Sequence, residues 1–319
     1  MNKRNSLLLA LLCLQLGLLA ILSLNDRDGE QTRQHFFAGI EPSLVTGLTI
    51  LGDEGRKADL RKTEEGWIVS TEGKVPADRR KIDKALKALT ALAPDRLVTR
   101  TRESHNRFLV GEKKYNLLLT LTLADGREKS LYLGSAPSHK STHVRAEGDE
   151  RVYLAREFSA WDFPLEASAW WLSDYVDLPD ESLAEVRIEN SAGSLHLKKG
   201  EQGVWLPAGQ AETAVDQARA QALVDAARRI TLNEYLGREE KSEYGLMTPA
   251  ARLTLAGKGK ETTLLIGAPD PVSNTAVLKS SDSPFYVRAS SGALADLLAA
   301  SPEGLLRGER EGGQAEPGE

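Results

Sequence analysis

The chain is short of the residues that carry most chemistry. Its 319 residues include one cysteine, two methionines and five histidines. A single cysteine forms no disulfide within the chain and builds no cysteine-based metal cluster. Charge of one sign is lacking too: 41 Lys and Arg stand against 46 Asp and Glu, for a net charge of −5. With no dense basic run, this composition speaks against a nucleic-acid partner. The only modest basic cluster read from the sequence is Arg228-Arg229 with Arg238 nearby, a solvated helix end. Catalytic signatures are missing as well. There is no Gly-x-Ser-x-Gly elbow, no phosphate-cradling Gly-x-x-x-x-Gly-Lys-Ser/Thr and no dinucleotide Gly-x-Gly-x-x-Gly. Gly257-Lys258-Gly259-Lys260 looks like a phosphate loop, but it joins two strand patterns and reads as a hairpin turn.

One long apolar run is present. Leu7 to Leu24 holds eighteen uncharged residues after Lys3 and Arg4. At about 1.5 Å per residue a helix of that length spans roughly 27 Å, near the hydrocarbon thickness of a bilayer. The positive flank keeps Lys3 and Arg4 in the cytoplasm, so the run is expected to be an inner-membrane anchor with the bulk of the chain in the periplasm. A cleaved signal peptide is the competing reading; Ile21 and Ser23 make a weak cleavage site. Cys13 lacks the context for lipoprotein processing and is read as a side chain within the anchor.

Beyond the run, hydrophobic residues at 41% and charged residues at 27% fit a chain that buries a core. An internal repeat organises it. Three short strands form a first meander: Leu48 to Leu51, Ala58 to Lys62 and Gly66 to Val69. A second meander reads Glu185 to Glu189, Ser194 to Lys198 and Val204 to Leu206, which puts Trp205 in the place of Trp67. An amphipathic helix follows each. Asp78 to Leu92 puts Ile82, Ala85, Leu86, Leu89 and Leu92 on one stripe, and Asp216 to Ile230 does so with Ala220, Leu223, Val224, Ala227 and Ile230. Hairpins come next, Leu117 to Leu133 and Ala251 to Ile266, ending alike at Gly134 and Gly267. A further strand pair matches Tyr153 with Tyr286, and a short helix from Ala293 to Ala300 closes the second copy.

These elements predict an α+β fold: an N-terminal transmembrane helix, then two tandem repeats, each an antiparallel meander with one packed helix and further hairpins. Residues 1–24 are the cytoplasmic stub and anchor, 25–43 a linker, 44–166 the first repeat domain and 167–182 a Trp-rich connector. The second repeat domain covers 183–302, and 303–319 is a polar tail expected to be disordered. Within the connector, Trp170, Trp171 and Tyr175 are candidates for a partner or domain interface, either as a wedge between domains or as a ligand platform.

The order of elements resembles a bacterial domain-of-unknown-function family, number 4340. The carriers are the Gly66-Trp67 and Val204-Trp205 strand ends, the Tyr244-Gly245-Leu246 step, the Ile-Gly-Ala-Pro turn at 266–269 and the Trp171-Leu172 opening of the connector. The resemblance covers roughly residues 40 to 300 in two copies. Copy one departs at Phe108-Leu109-Val110, which replaces the Tyr-Gly-Leu step. The resemblance implies a membrane-anchored exterior protein, similar to accessory partners of gliding-motility-type ABC transporters. It implies no catalytic residue.

Searching the chain for chemistry gives little. His139 and His143 have metal-ligand spacing, but Pro137-Ser138 ahead of them argues against a helix, and a solvated loop is the plainer reading. His196 sits on the wet side of a strand, and His35 and His105 lack local partners. Carboxylate pairs such as Glu64-Glu65, Asp180-Glu181 and Glu239-Glu240 fall in turns and polar runs. No catalytic, cofactor-binding or metal-ligating residue is assigned, and no cofactor is expected. The reading is a non-catalytic interaction protein working beside a separate ABC-type permease and ATPase. The alternative is a glycan- or polymer-binding module using Trp67, Trp205, Trp170 and Trp171, with a hydrolase a more distant third.

Overall fold

The computed structural model describes residues 35–71, 73–208 and 215–306, together with Gln15. The expected anchor at Leu7–Leu24 therefore lies, apart from Gln15, outside the described residues, and so does the tail from residue 307 onward. Among the described residues no helix is long and apolar enough to cross a membrane. The chain divides into two compact units between Trp171 and Leu172.

The first unit holds β1 (Val45–Gly52), β2 (Lys57–Thr63), β3 (Gly66–Val69), β4 (Val75–Pro76), helix α1 (Arg79–Thr90), β5 (Arg96–Thr99), β6 (Leu117–Leu123), β7 (Glu128–Leu133), β8 (Ser141–Ala146) and β9 (Val152–Arg156). All nine strands join one antiparallel sheet in the order β4-β3-β2-β1-β6-β7-β8-β9-β5. Alternation builds it. In β6, Leu117, Leu119, Leu121 and Leu123 are buried while Leu118, Thr120 and Thr122 are half-exposed. Val45, Leu48 and Ile50 of β1 and Leu60 of β2 bury on the same principle. Helix α1 closes over this core with Ile82, Ala85, Leu86 and Leu89. Its N-cap is Asp78, whose carboxylate accepts from the Arg80 N–H at 2.9 Å.

The second unit holds β10 (Asp174–Asp177), β11 (Glu185–Asn190), β12 (Gly193–Lys199), β13 (Trp205–Pro207), α2 (Gln217–Arg228), β14 (Arg229–Thr231), β15 (Glu234–Gly237), β16 (Ala251–Gly257), β17 (Lys260–Ile266), β18 (Thr275–Ser280), β19 (Tyr286–Ser290) and α3 (Ser291–Leu298). Eight strands form a sheet in the order β13-β12-β11-β16-β17-β18-β19-β15, and β10 pairs separately with β14. Strand for strand, this order matches the first sheet without its outermost β4. Helix α2 buries Ala220, Leu223, Val224 and Ala227, and its N-cap Asp216 accepts from the N–H groups of Ala218 and Arg219.

The expected α+β class is corrected by this arrangement. The described residues form nineteen strands in three antiparallel sheets, against three α-helices, so the fold is mostly β. The reason is a long-range pairing that local patterns do not display. Strand β1 pairs antiparallel with β6, Leu48 facing Leu121 and Ile50 facing Leu119, which fuses meander and hairpin into one sheet. In the second unit β11 and β16 do the same, Val186 facing Leu255. One three-turn helix serves the first large sheet, and α2 with the short α3 serves the second.

Two segment boundaries also differ from expectation. Residues 35–40, taken as linker, belong to the first unit: Phe37 and Ile40 are buried, and the Phe36 N–H donates to Leu92 O at 3.2 Å. Glu303 to Leu306, taken as tail, form a 3-10 turn and a bridge on the second unit, where Leu305 is buried and its carbonyl accepts from the Asp216 N–H at 2.9 Å. Both short segments are held by apolar side chains that find room in the core, which their polar neighbours conceal in the sequence.

Candidate functional site

The connector residues are clasped by the unit on their own side of the boundary. Trp170 is 2% exposed, donates from Nε1 to Pro164 O at 2.9 Å, and accepts at its carbonyl from the Asp78 N–H at 2.8 Å. Trp171 is half-buried and bridges Ala77. Lys81 donates to Ala169 O at 2.8 Å. The Asp78 bond satisfies the N–H at the N-cap of α1, a donor with no partner within the helix, and the Lys81 side chain ties the first turn to the same segment. In the second unit Leu305 and Leu306 occupy the corresponding place against Val215 and Asp216. Tyr175 belongs to the second unit. Its hydroxyl donates to Phe285 O at 2.7 Å and accepts from the Ser280 N–H at 2.8 Å, and burial raises its pKa. Tyr235 donates to Leu172 O at 2.8 Å.

The residues that the sequence pairs between its two halves are placed as follows. Trp67 and Trp205 are both buried, each opposite a lysine, Lys62 and Lys199, on the neighbouring strand. Gly134 and Gly267 both follow the strand ahead of the second hairpin and donate across it, to His143 O and Val277 O, each at 2.8 Å. A Cβ on Gly134 would sit 2.0 Å from Phe108 O, and one on Gly267 would sit 2.7 Å from Tyr244 O. Glycine is required at both because another stretch of backbone passes against them. Leu109 and Gly245, the residues after those two aromatics, share a left-handed backbone with φ of 57° and 67°. The Phe108-Leu109-Val110 departure thus keeps the turn of Tyr244-Gly245-Leu246, with a leucine in a conformation that disfavours it by about 1 kcal/mol.

The tyrosine pairing shifts by one residue. Tyr153 faces Val144 across its ladder and Val287 faces Leu278, so Tyr286 lies in register with Val152 and not with Tyr153. A one-residue slip puts the side chain on the opposite face. Accordingly Tyr153 packs on Phe36, while Tyr286 joins Tyr244 and Leu246.

That second face carries the features that sequence reasoning missed. Between β5 and β6 the chain crosses it: Val110, with Phe108 and Tyr115, packs on Tyr132 and Val152. Arg145 lies beneath, 3% exposed, 4.3 Å over the Tyr132 ring, donating to Val110 O at 2.7 Å and Asp149 O at 3.0 Å. Lys279 occupies the matching register position, over Tyr286, donating to Ser280 O at 2.9 Å and Ser283 O at 2.5 Å, with its pKa held down by burial. Each cation satisfies carbonyls of the hairpin turn that follows it. The available signal was register, a cation one residue beyond the strand centre in both units, visible only once the ladders are aligned.

The crossing segment of the first unit is also basic, which corrects the reading of Arg228-Arg229 as the only basic cluster. Residues 96–114 contain Arg96, Arg100, Arg102, Arg107, Lys113 and Lys114, all exposed, against Glu103 and Glu112. Arg228 and Arg229 instead pair with Asp225.

Of the histidines, His143 lies in β8 and contacts Ser135: Oγ to Nδ1 is 3.0 Å, and the same nitrogen is 2.9 Å from Ser135 O. Burial lowers its pKa and Phe108 stacks on the ring at 4.6 Å. His105 is buried and contacts Glu150 O, and His196 contacts Glu185 at 2.8 Å. His139 is exposed in the turn before β8. Among the described residues no group of three or more His, Cys, Asp or Glu could hold a metal ion.

A model of the domain of unknown function DUF4340 matches residues 67–249, more than half of the chain. The chain belongs to the DUF4340 family. No curated protein and no solved structure matches it. The DUF4340 match opens at Trp67 in β3 and ends at Pro249, just ahead of β16, so it takes in both long helices and both crossing segments.

Proposed function

We propose that this DUF4340 chain is a single-pass, membrane-anchored interaction protein of the periplasm, with two tandem copies of one domain, serving as a non-catalytic accessory subunit of an ABC-type transport or envelope complex. The observation that carries the reading is the repeated strand order, in which each unit ends in an open edge, β5 or β15. Open edges and loop-covered faces suit protein partners. The uncharged run Leu7–Leu24 supplies the anchor, which raises the local concentration of both units beside a membrane complex.

The glycan-binding alternative is weakened by burial. Trp67, Trp170 and Trp205 are 8%, 2% and 1% exposed, so their rings offer no face to a sugar.

Two measurements test the proposal. A cysteine placed at exposed Glu239 is expected to react with a membrane-impermeant maleimide in spheroplasts of intact cells. Crosslinking from intact membranes is expected to capture a permease or its ATPase. Labelling only after lysis, or crosslinks confined to soluble cytosolic proteins, refutes the reading.

A further inference from the structure

We infer that the β5 edge of the first unit, with the basic segment that follows it, is the docking surface for an acidic, extended segment of a partner protein, added to the sheet as a tenth strand. The inference deepens the interaction reading and rests on it.

Three observations carry it. First, β5 is the outermost strand, paired with β9 alone, so half of its backbone donors and acceptors face away from the sheet. Second, charge at this edge is unbalanced. Among the described residues the side chains of Arg96, Arg100, Lys113 and Lys114 make no ion pair and no hydrogen bond, and that of Arg107 overlies the Phe108 ring at 5.6 Å. The acids nearby are engaged or few: Asp95 pairs with Arg156 at 2.8 Å, and Glu150 stands 3.9 Å from Arg102. Within these nineteen residues those five exposed cations stand against two exposed acids, Glu103 and Glu112, so in a chain of net charge −5 the segment presents a local positive field. Third, the same place in the second unit has the opposite sign. From Glu234 to Ala250 the chain holds Glu234, Glu239, Glu240 and Glu243 against Arg238 and Lys241, with Arg238 over Phe285 and Arg288 tied to Glu234. Strand order is common to both units, so the basic edge is not something the fold demands. A partner strand would take main-chain bonds from β5 and specificity from carboxylates set against Arg96, Arg100 and Arg107.

The test uses the full chain in detergent micelles and a fluorescein-labelled peptide of alternating glutamate and valine. Anisotropy is expected to report binding that weakens about tenfold or more as sodium chloride rises to roughly half-molar, where screening acts within a few ångströms. The same peptide N-methylated at alternate residues cannot donate to an edge and is expected to bind at least about tenfold more weakly. The triple variant Arg96→Glu/Arg100→Glu/Arg107→Glu is expected to lose binding to the same degree, while Arg187→Glu, an exposed cation of the second unit, leaves it intact. No binding, equal binding of the N-methylated peptide, or indifference to the triple reversal overturns the inference. Capture of the chain by phosphatidylglycerol vesicles through the same arginines, with no peptide binding, overturns it in favour of a lipid surface. If membrane crosslinking succeeds while the peptide fails, the interaction reading stands and the β5 edge is not its surface.

Discussion

Substituting Gly134 by alanine should be among the most damaging single-methyl changes in the first unit. The added Cβ falls 2.0 Å from Phe108 O, 2.7 Å from Val110 Cγ1 and 2.9 Å from Leu109 O. An ordinary carbon–oxygen contact is more than 1 Å longer than the first of these, so backbone must move and no rotamer change relieves it. The Phe108 carbonyl is held by the Ser135 N–H at 2.9 Å, and the Gly134 carbonyl by Asn116 Nδ2 at 2.9 Å. Overpacking of this kind costs about 1–3 kcal/mol, and disturbing one or two hydrogen bonds adds about 1 kcal/mol each, so a loss of about 3 kcal/mol is expected. Gly267→Ala, whose nearest backbone atom is Tyr244 O at 2.7 Å, should cost roughly half as much. Gly148→Ala, with φ of 78° and nothing within 4 Å, should cost only about 1 kcal/mol from its left-handed backbone. Urea unfolding reads Gly134→Ala and Gly148→Ala through Trp67, Trp161, Trp170 and Trp171, which all lie in the first unit, while exchange protection in β17 and β18 against urea reads Gly267→Ala in the second. With a slope of about 1–3 kcal/mol per molar, Gly134→Ala should lower the midpoint by about 1 M or more. A midpoint within error of the wild type, or a smaller loss than Gly267→Ala, would show that the Phe108 backbone yields freely and that the close approach is not a constraint.

Three further outcomes are expected. Asp78 is buried and its pKa lies below the usual carboxylate value, chiefly through the hydrogen bond from Arg80. A depressed acid contributes stability that is present above its unfolded pKa and disappears as pH falls through the folded one, so Asp78→Ala should cost about 1–2 kcal/mol at neutral pH and flatten the acid limb of a urea-midpoint profile. His143 is a base whose pKa burial depresses below 6.5, so the folded state favours the neutral ring; stability held above that value falls as pH drops toward the folded pKa, and His143→Gln should remove this loss as pH falls below 6.5. Proton NMR titration of His143 checks the direction: a pKa above 6.5 contradicts it. Tyr175→Phe strips a donor from Phe285 O and an acceptor from the buried Ser280 N–H, and should destabilise the second unit by about 2 kcal/mol, read from exchange protection in β18 and β19.

What sequence determined by itself was local. Alternating Leu and Thr in 117–123 and alternating Val, Ile and charge in 185–189 specified strands, because a pleat exposes every second side chain. Asp78 and Asp216, each ahead of a 3.6-residue stripe, specified where two helices begin. Gly134 and Gly267 announced matching turns. The candidate interface residues were visible as aromatic side chains, but not which of them would be buried. Tertiary structure decided the rest, since it depended on contacts between residues far apart in the chain. Pairing of β1 with β6 turned scattered hairpins into one sheet and moved the fold from α+β to mostly β. The ladder register, which no period-two pattern reveals across a long loop, matched Tyr286 with Val152 and Arg145 with Lys279. Packing drew residues 35–40 and 303–306 into the cores, and ion pairing elsewhere left the Arg96 and Arg100 side chains as exposed charge without a carboxylate partner at the outermost strand. Side-chain periodicity is written residue by residue; the partner a strand chooses is settled only by the free energy of the whole sheet.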